Sequence, residues 1–330
     1  MKLLIFEYST CVDNSNLISE GFGILKSILE DLEEDNNYDV DYLLMKNLDI
    51  EHIEKSNRIV LDEDLLTWLD KNASGYDYSL FVAPEDNLIQ YKITKILEQK
   101  NVKLLTSNSD ASYTCSSKYL TYQKTPDDIL KIPSIIIDTS YYDHDLLDDK
   151  INKNDVVCKP DNYTSSNYIY HTNKDNIKQI ITEYKNNKIE KMLIQEYIQG
   201  TPISISAITA NDEINILSIN SQIIKENDNN LSYTGCICPI DHPLEKQIKD
   251  ISVKIIKSIP GLKGFVGIDY IISDDKIYFV EVNSRITTPY IVLHNISNRN
   301  LTKYLIDSMI SNHKLKSIKL NDKGDFFNEK

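Results

Sequence analysis

Gly264-Phe265-Val266-Gly267-Ile268-Asp269-Tyr270-Ile271-Ile272 is followed by Ser273-Asp274-Asp275-Lys276, and then by Ile277-Tyr278-Phe279-Val280-Glu281-Val282-Asn283-Ser284-Arg285. Two apolar runs rich in β-branched and aromatic residues flank a polar turn, the pattern of a β-hairpin. Side chains alternate along a strand, so Glu281 and Asn283 share one face and Val280 and Val282 the other. A turn of two or three residues sets Asp269 opposite Glu281 or one place away. Two carboxylates and an amide oxygen then converge. Such a group is costly to bury unless it holds a cation, and an all-oxygen set suits Mg²⁺. Arg285, two residues past Asn283, adds a planar fork for a phosphate or carboxylate. The alternative is an edge hairpin with a solvated acidic face; the convergence favours the metal.

The bulk properties bound the surroundings. The chain has 330 residues, enough for two or three domains with real cores. A formal net charge of −14 argues against a surface that tracks phosphates, so neither nucleic acid nor an anionic membrane is expected as partner. No apolar run reaches the roughly twenty residues that span a bilayer. The opening Met1-Lys2-Leu3-Leu4-Ile5-Phe6-Glu7-Tyr8 meets an acid too early for a signal peptide and reads as a first strand. Five scattered cysteines, odd in number, fit a reduced cytoplasm better than a disulfide framework.

Strand and helix signals alternate over the first hundred residues. Strands are expected at 2–8, 39–45, 58–61, 79–84 (ended by its proline) and 102–105, and helices at 17–32, 62–72 and 87–99. That order implies a mostly parallel sheet with helices on both faces, and ligands bind beyond the carboxyl ends of such strands. Glu7, Tyr8, Ser9 and Thr10, and then Glu85 and Asp86, are placed to line a cleft. Residues 107–110 read as a boundary, 115–122 as one helix and 141–154 as a polar loop. Further strands are expected at 132–137, 155–160, 168–171, 191–198, 202–209 and 214–224, with helices at 174–185, 242–259, 290–296 and 301–310. The charged tail beyond 312 reads as frayed.

The order of parts resembles the ATP-grasp superfamily. It consists of Lys118, the strand-borne Lys159 in Cys158-Lys159-Pro160, Gln195-Glu196-Tyr197-Ile198 before Gly200, and Asp269 with Glu281-x-Asn283-x-Arg285. Glu7-Tyr8-Ser9, Ser19-Glu20-Gly21, Ala83-Pro84-Glu85 and Glu281-Val282-Asn283-Ser284-Arg285-Ile286-Thr287-Thr288 narrow it to the tyramine–L-glutamate ligases of methanofuran biosynthesis. The resemblance implies an α/β chain with an ATP-grasp fold preceded by a Rossmann-like parallel-sheet domain. Its parts would be a first domain at 1–108, ATP-grasp subdomains at 109–198 and 199–311, and a polar tail at 312–330.

The implied activity is an ATP-dependent carboxylate–amine ligation through an acyl phosphate. Its substrates would be ATP, L-glutamate and tyramine, with Mg²⁺ or Mn²⁺ as the metal. Lys118 and Lys159 would contact phosphate oxygens, and backbone groups of Glu196, Tyr197 and Ile198 would read the adenine edge. Asp269, Glu281 and Asn283 would hold the metal, and Arg285 would steady the acyl phosphate. Thr287 and Thr288 are the nearest groups for the amino acid, and Glu20 or Glu85 for an amine. A homodimer stays open.

Three positions depart from the superfamily pattern. The loop Asp161-Asn162-Tyr163-Thr164-Ser165-Ser166-Asn167 has none of the usual glycines. Pro202 stands where a glutamate usually grips the ribose, and Gly267 where many members carry a base. They keep two alternatives open: a catalytically reduced nucleotide-binding or regulatory protein of this fold, and a sister amino-acid ligase.

Overall fold

In the computed structural model the chain forms two sheets. Residues 1–12, 18–33, 37–141, 147, 149–163, 168–227, 230–311 and 314–328 are described. The first sheet joins β1 (Lys2–Glu7), β2 (Asp39–Met45), β3 (Asn57–Leu61), β4 (Tyr78–Val82) and β5 (Lys103–Leu104) in the order β3-β2-β1-β4-β5, all parallel. Its helices are α1 (Tyr8–Cys11), α2 (Ile18–Glu33), α3 (Leu65–Asn72) and α4 (Ile89–Gln99). The period-two alternation of β1 builds both faces: Leu3 and Ile5 pack with Ile24, Leu25 and Ile28 of α2, while Leu4 and Phe6 pack with α3 and α4.

The rest of the chain builds a larger sheet. After α5 (Ser109–Cys115) and α6 (Lys118–Lys124) come β6 (Ser134–Asp138), β7 (Asp155–Pro160), β8 (Tyr170–Asn173), α7 (Ile177–Asn186) and β9 (Lys191–Glu196). Then follow β10 (Thr201–Ala210), β11 (Glu213–Asn227), β12 (Asn230–Cys238), α8 (Glu245–Ser258), β13 (Gly264–Ser273) and β14 (Lys276–Asn283). The chain closes with α9 (Tyr290–Ile296), α10 (Leu301–Ile310) and β15 (Gly324–Phe327). The strand order is β14-β13-β10-β11-β12-β8-β7-β9-β6, with β15 on β12. In the opening hairpin Ser273 pairs with Lys276, and Asp274 and Asp275 take φ of 48° and 58°. Two positive-φ residues make the tight turn whose twist matches its strands, and aspartate tolerates that conformation.

The two sheets are fixed to each other. Phe265 of β13 is buried in the same cluster as Leu3 and Ile5 of β1. Asp31 at the end of α2 accepts from Thr302 N and Oγ1 at 2.9 and 2.8 Å. The carboxyl ends of β1 and β4 therefore face the end of β14, where the site lies.

Four expectations need correction. Residues 115–122, expected as one helix, are split between α5, which ends at Cys115, and α6, which starts at Lys118, because Ser117 breaks the run and caps the second with its hydroxyl. The tail is not frayed throughout: residues 324–327 add a strand to β12. Strand β12 was not expected, although its first half, Asn-Leu-Ser-Tyr-Thr, alternates polar and apolar residues. The loop expected over 141–154 falls partly on residues 142–146 and 148, outside the described residues; within it Leu147 and Ile151 are buried beside β7 and α7.

Candidate active site

The hairpin sets Asp269 directly across from Glu281, and Gly267 across from Asn283. Asn283 Nδ2 lies 3.4 Å from Asp269 Oδ2, and the two ends of that amide are interchangeable at this geometry. Burial, and then the facing Glu281, push the Asp269 carboxyl far above its usual range. Burial also opposes the charge on Glu281, but Lys118 and Lys159 outweigh it and hold that carboxyl below its usual range. Two carboxylates forced together with an amide oxygen beside them fit a hard divalent cation, which relieves the repulsion that keeps Asp269 protonated. The set has only two acids; among the described residues no cluster of three or more His, Cys, Asp or Glu side chains has metal-binding geometry.

Two lysines reach this pair from different elements. Lys118 opens α6, which lies against β14, and its Nζ is 3.4 Å from Glu281 Oε2 and donates to Tyr163 O at 2.6 Å. Burial opposes its charge, yet Glu281, Glu85 and Asp161 keep it firmly protonated. Lys159 lies near the end of β7 and is only 5% exposed. Burial and the neighbouring Lys118 pull its ammonium down to about 8. An ammonium this desolvated, beside a second one, is a poor structural choice and a good receptor for phosphate oxygens.

Arg285 is held at the other end. Its Nε donates to both oxygens of Glu85 at 3.2 Å, and Nη1 donates to Ile286 O at 3.3 Å. Glu85 is thus the anchor of Arg285. Gln90 Nε2 donates to Ser284 O at 3.0 Å and its Oε1 accepts from Ser284 Oγ at 3.2 Å, which fixes the backbone between Asn283 and Arg285. Thr288 Oγ1 donates to Glu20 Oε1. Thr287 takes the space beside Gly267, where a Cβ would come within 2.9 Å of Thr287 Cγ2. At the end of β1, Glu7 Oε2 accepts from Ser9 Oγ at 2.6 Å and Thr10 N at 3.0 Å. Helix α2 crosses so closely there that a Cβ on Gly21 would fall 2.1 Å from Glu7 Oε2.

The linker sits farther along. The amides of Glu196 and Tyr197 donate to Pro133 O and Asp155 O at 3.0 and 2.9 Å, so neither is available to a base in this arrangement. The Glu196 carboxylate accepts from Asn152 N at 2.8 Å. Tyr197 stacks on His171, ring centroids 3.9 Å apart, beside a cleft of about 380 Å³ lined by Lys153, Asn154, Asp155, Tyr197 and Gln199. Residues 164–167 of the glycine-free loop lie outside the described residues.

Lys118, Lys159, Asp269, Glu281 and Asn283 thus converge, Arg285 and Glu85 form a second group, and Glu20 with Thr288 a third. Glu7 was expected to line the cleft; Gln90 and Asp161 were not foreseen as site residues. A fully buried glutamine and a buried aspartate leave no mark in a single sequence.

A parallel-sheet domain leading into a large antiparallel sheet, with two buried lysines over an acidic hairpin, defines a nucleotide-dependent enzyme class. The sequence profile of the ATP-grasp domain matches residues 115–289, and the chain belongs to the ATP-grasp family. It is 32% identical over 296 residues to tyramine–L-glutamate ligase of Methanocaldococcus jannaschii, covering 87% of this chain and 82% of that one. Among solved structures, N5-carboxyaminoimidazole synthetase from Staphylococcus aureus complexed with ADP superposes with a TM-score of 0.74 at 14% identity, covering 99% of this chain and 82% of that one. The L-amino acid ligase from Bacillus licheniformis superposes with a TM-score of 0.70 at 16% identity, covering 93% and 74%. Proteins of this fold bind ATP or ADP with a divalent metal. Among the described residues no helix is long and apolar enough to cross a membrane.

Proposed function

We propose that the γ-carboxyl of L-glutamate and the amine of tyramine are the groups joined here, a step of methanofuran biosynthesis. The chain is an ATP-dependent carboxylate–amine ligase. The observation that carries the choice of substrates is the 32% identity to tyramine–L-glutamate ligase across most of both chains.

A carboxylate at neutral pH does not acylate an amine. ATP supplies the phosphoryl group that turns it into an acyl phosphate, with Mg²⁺ (or Mn²⁺) offsetting phosphate charge. Asp269, Glu281 and Asn283 are the proposed metal ligands. Lys118 and Lys159 bind phosphate oxygens, and the burial of Lys159 and near-burial of Lys118 limit the water that would weaken that attraction. Arg285, oriented by Glu85, steadies the charge that develops at the acyl group. Ile198 is the linker amide that reads the adenine edge, since Glu196 and Tyr197 have theirs engaged. Thr287, Thr288 and Glu20 are proposed to contact the amino acid or the amine. Residues 1–108 supply the substrate side, 109–198 and 199–311 enclose the nucleotide, and 312–330 form the closing tail.

The test is phosphate release with ATP and Mg²⁺. Release is expected only with glutamate and tyramine both present. Release with another acid–amine pair, and none with this one, would move the chain to a different ligase specificity.

A further inference from the structure

We propose that Asp161 is a positioning residue that locks the two phosphate-facing lysines into one rigid unit. The inference rests on the reading of Lys118 and Lys159 as phosphate ligands. These lysines come from elements with no reason of their own to stay in register. One is near the end of β7 in the layer of β6, β7, β8 and β9, and the other begins α6, which lies against β14.

Asp161 joins them. Its Oδ2 accepts from Ser117 Oγ at 2.7 Å, its Oδ1 accepts from Tyr119 N at 2.9 Å, and its carbonyl accepts from Lys118 N at 3.1 Å. Its own amide donates to Lys191 O of β9 at 3.2 Å. The residue is 5% exposed, so water does not compete for these bonds. On the α6 side each group it grips is Lys118 itself or an immediate neighbour, and Lys159 is two positions back along the chain from it. Two positions forward, Tyr163 O accepts from Lys118 Nζ at 2.6 Å, so the first turn of the loop is tied to the same corner.

The consequence is geometric. Two ammonium groups bind a polyphosphate well only at a fixed spacing, and a root that pivots moves a long side chain's tip by ångströms. Misplacement by about 1 Å can cost on the order of a hundredfold where positioning carries the work. Loops that close over phosphates through glycine amides set their geometry with the main chain. Residues 161–167 contain no glycine, so the side chain of Asp161 takes over the task of fixing where the loop begins. The same carboxylate also favours the charged form of both lysines.

A simple helix cap predicts something else: lower stability with all substrates affected alike. The experiment compares wild type, Asp161→Asn and Asp161→Ala for calorimetric ADP–Mg²⁺ affinity, for hydrogen exchange of the Tyr119 amide in nucleotide-free protein, and for the KM of glutamate. Asp161→Ala is expected to lose about tenfold or more in ADP affinity and to expose the Tyr119 amide, with the glutamate KM within about twofold of wild type. Asp161→Asn keeps an acceptor for that amide and should restore most of the affinity. If Asp161→Ala does not fold, Asp161→Glu is read in its place, because its longer side chain keeps the charge but not the geometry; weakened ADP binding is expected there too. Wild-type ADP affinity in a folded Ala or Glu variant overturns the proposal, as does a parallel loss for ADP and glutamate. Failure of wild type itself to bind ADP would instead remove the assignment of the lysines, and the proposal with it.

Discussion

Arg285 and Glu85, two hundred residues apart, form a buried ion pair in which one Nε lies 3.2 Å from both carboxylate oxygens. The pair joins the carboxyl end of β4 to the end of β14. It therefore ties the parallel sheet to the acidic hairpin. Burial pushes the Glu85 carboxyl up, and the Arg285 guanidinium beside it opposes that rise.

Removing one partner of such a pair leaves the other buried and uncompensated. Glu85→Ala should destabilise the protein by about 3–5 kcal/mol in urea unfolding, and Glu85→Gln, which still accepts a hydrogen bond, by clearly less. Equal stability of wild type and Glu85→Ala would mean that the pair is solvated.

Glu7 gives the pH dependence a definite sign. Burial raises its carboxyl from 4.5 to about 7. The native state therefore holds a proton that the unfolded chain releases. That contribution is fully present below about pH 4.5 and is lost as pH rises through about 7, a change of roughly 3 kcal/mol at most. Glu7→Gln should match wild type near pH 4 and exceed it in stability near pH 8. Parallel stability curves for the two proteins would show that Glu7 is ionised throughout.

Lys159 predicts a limb in the rate profile. With its ammonium near 8 in the free protein, kcat/KM for ATP should fall as pH rises through about 8, when the charge that meets phosphate is lost. Lys159→Arg keeps the charge at all accessible pH and should abolish that limb, whatever it does to the plateau. A limb unmoved by the substitution would assign it to another group.

Gly267 and Thr287 should be energetically coupled. A Cβ at 267 meets Thr287 Cγ2 at 2.9 Å, so Gly267→Ala is expected to cost about 1–3 kcal/mol. Thr287→Ser deletes that methyl group and should recover most of the loss. Additive effects in the double-mutant cycle would show that the clash is relieved elsewhere.

How much of this was legible follows from the distance over which each feature is encoded. The hairpin was plain because its alternation, turn residues and facing acids all lie within twenty-two residues, and the tight turn left one register. The parallel sheet was plain because its central strands β1, β2 and β4 are apolar enough to be buried on both faces. Strand β15 was hidden in a polar tail, since its pairing with β12 comes from a partner ninety-two residues away at Gly235↔Phe327 and not from its own pattern. The break between α5 and α6 turned on one serine hydroxyl. The clasps of Arg285 by Glu85 and of Lys118 by Asp161 are tertiary, and the residues carry no local sign of them. The lysines and the proposed metal ligands were named from the order of motifs; why they are held where they are had to come from the packing.

The metal hairpin is the centre of the account, and Glu281→Gln tests it most directly. The change keeps the volume and removes one charge from the pair with Asp269, at the expense of the contact with Lys118 at 3.4 Å. With ATP, Mg²⁺, glutamate and tyramine, phosphate release by the folded variant should fall at least about a hundredfold, the scale of losing roughly 3–4 kcal/mol of electrostatic stabilisation at the transition state. Release at the wild-type rate would mean that Glu281 holds no metal and that the acidic hairpin is only a structural edge.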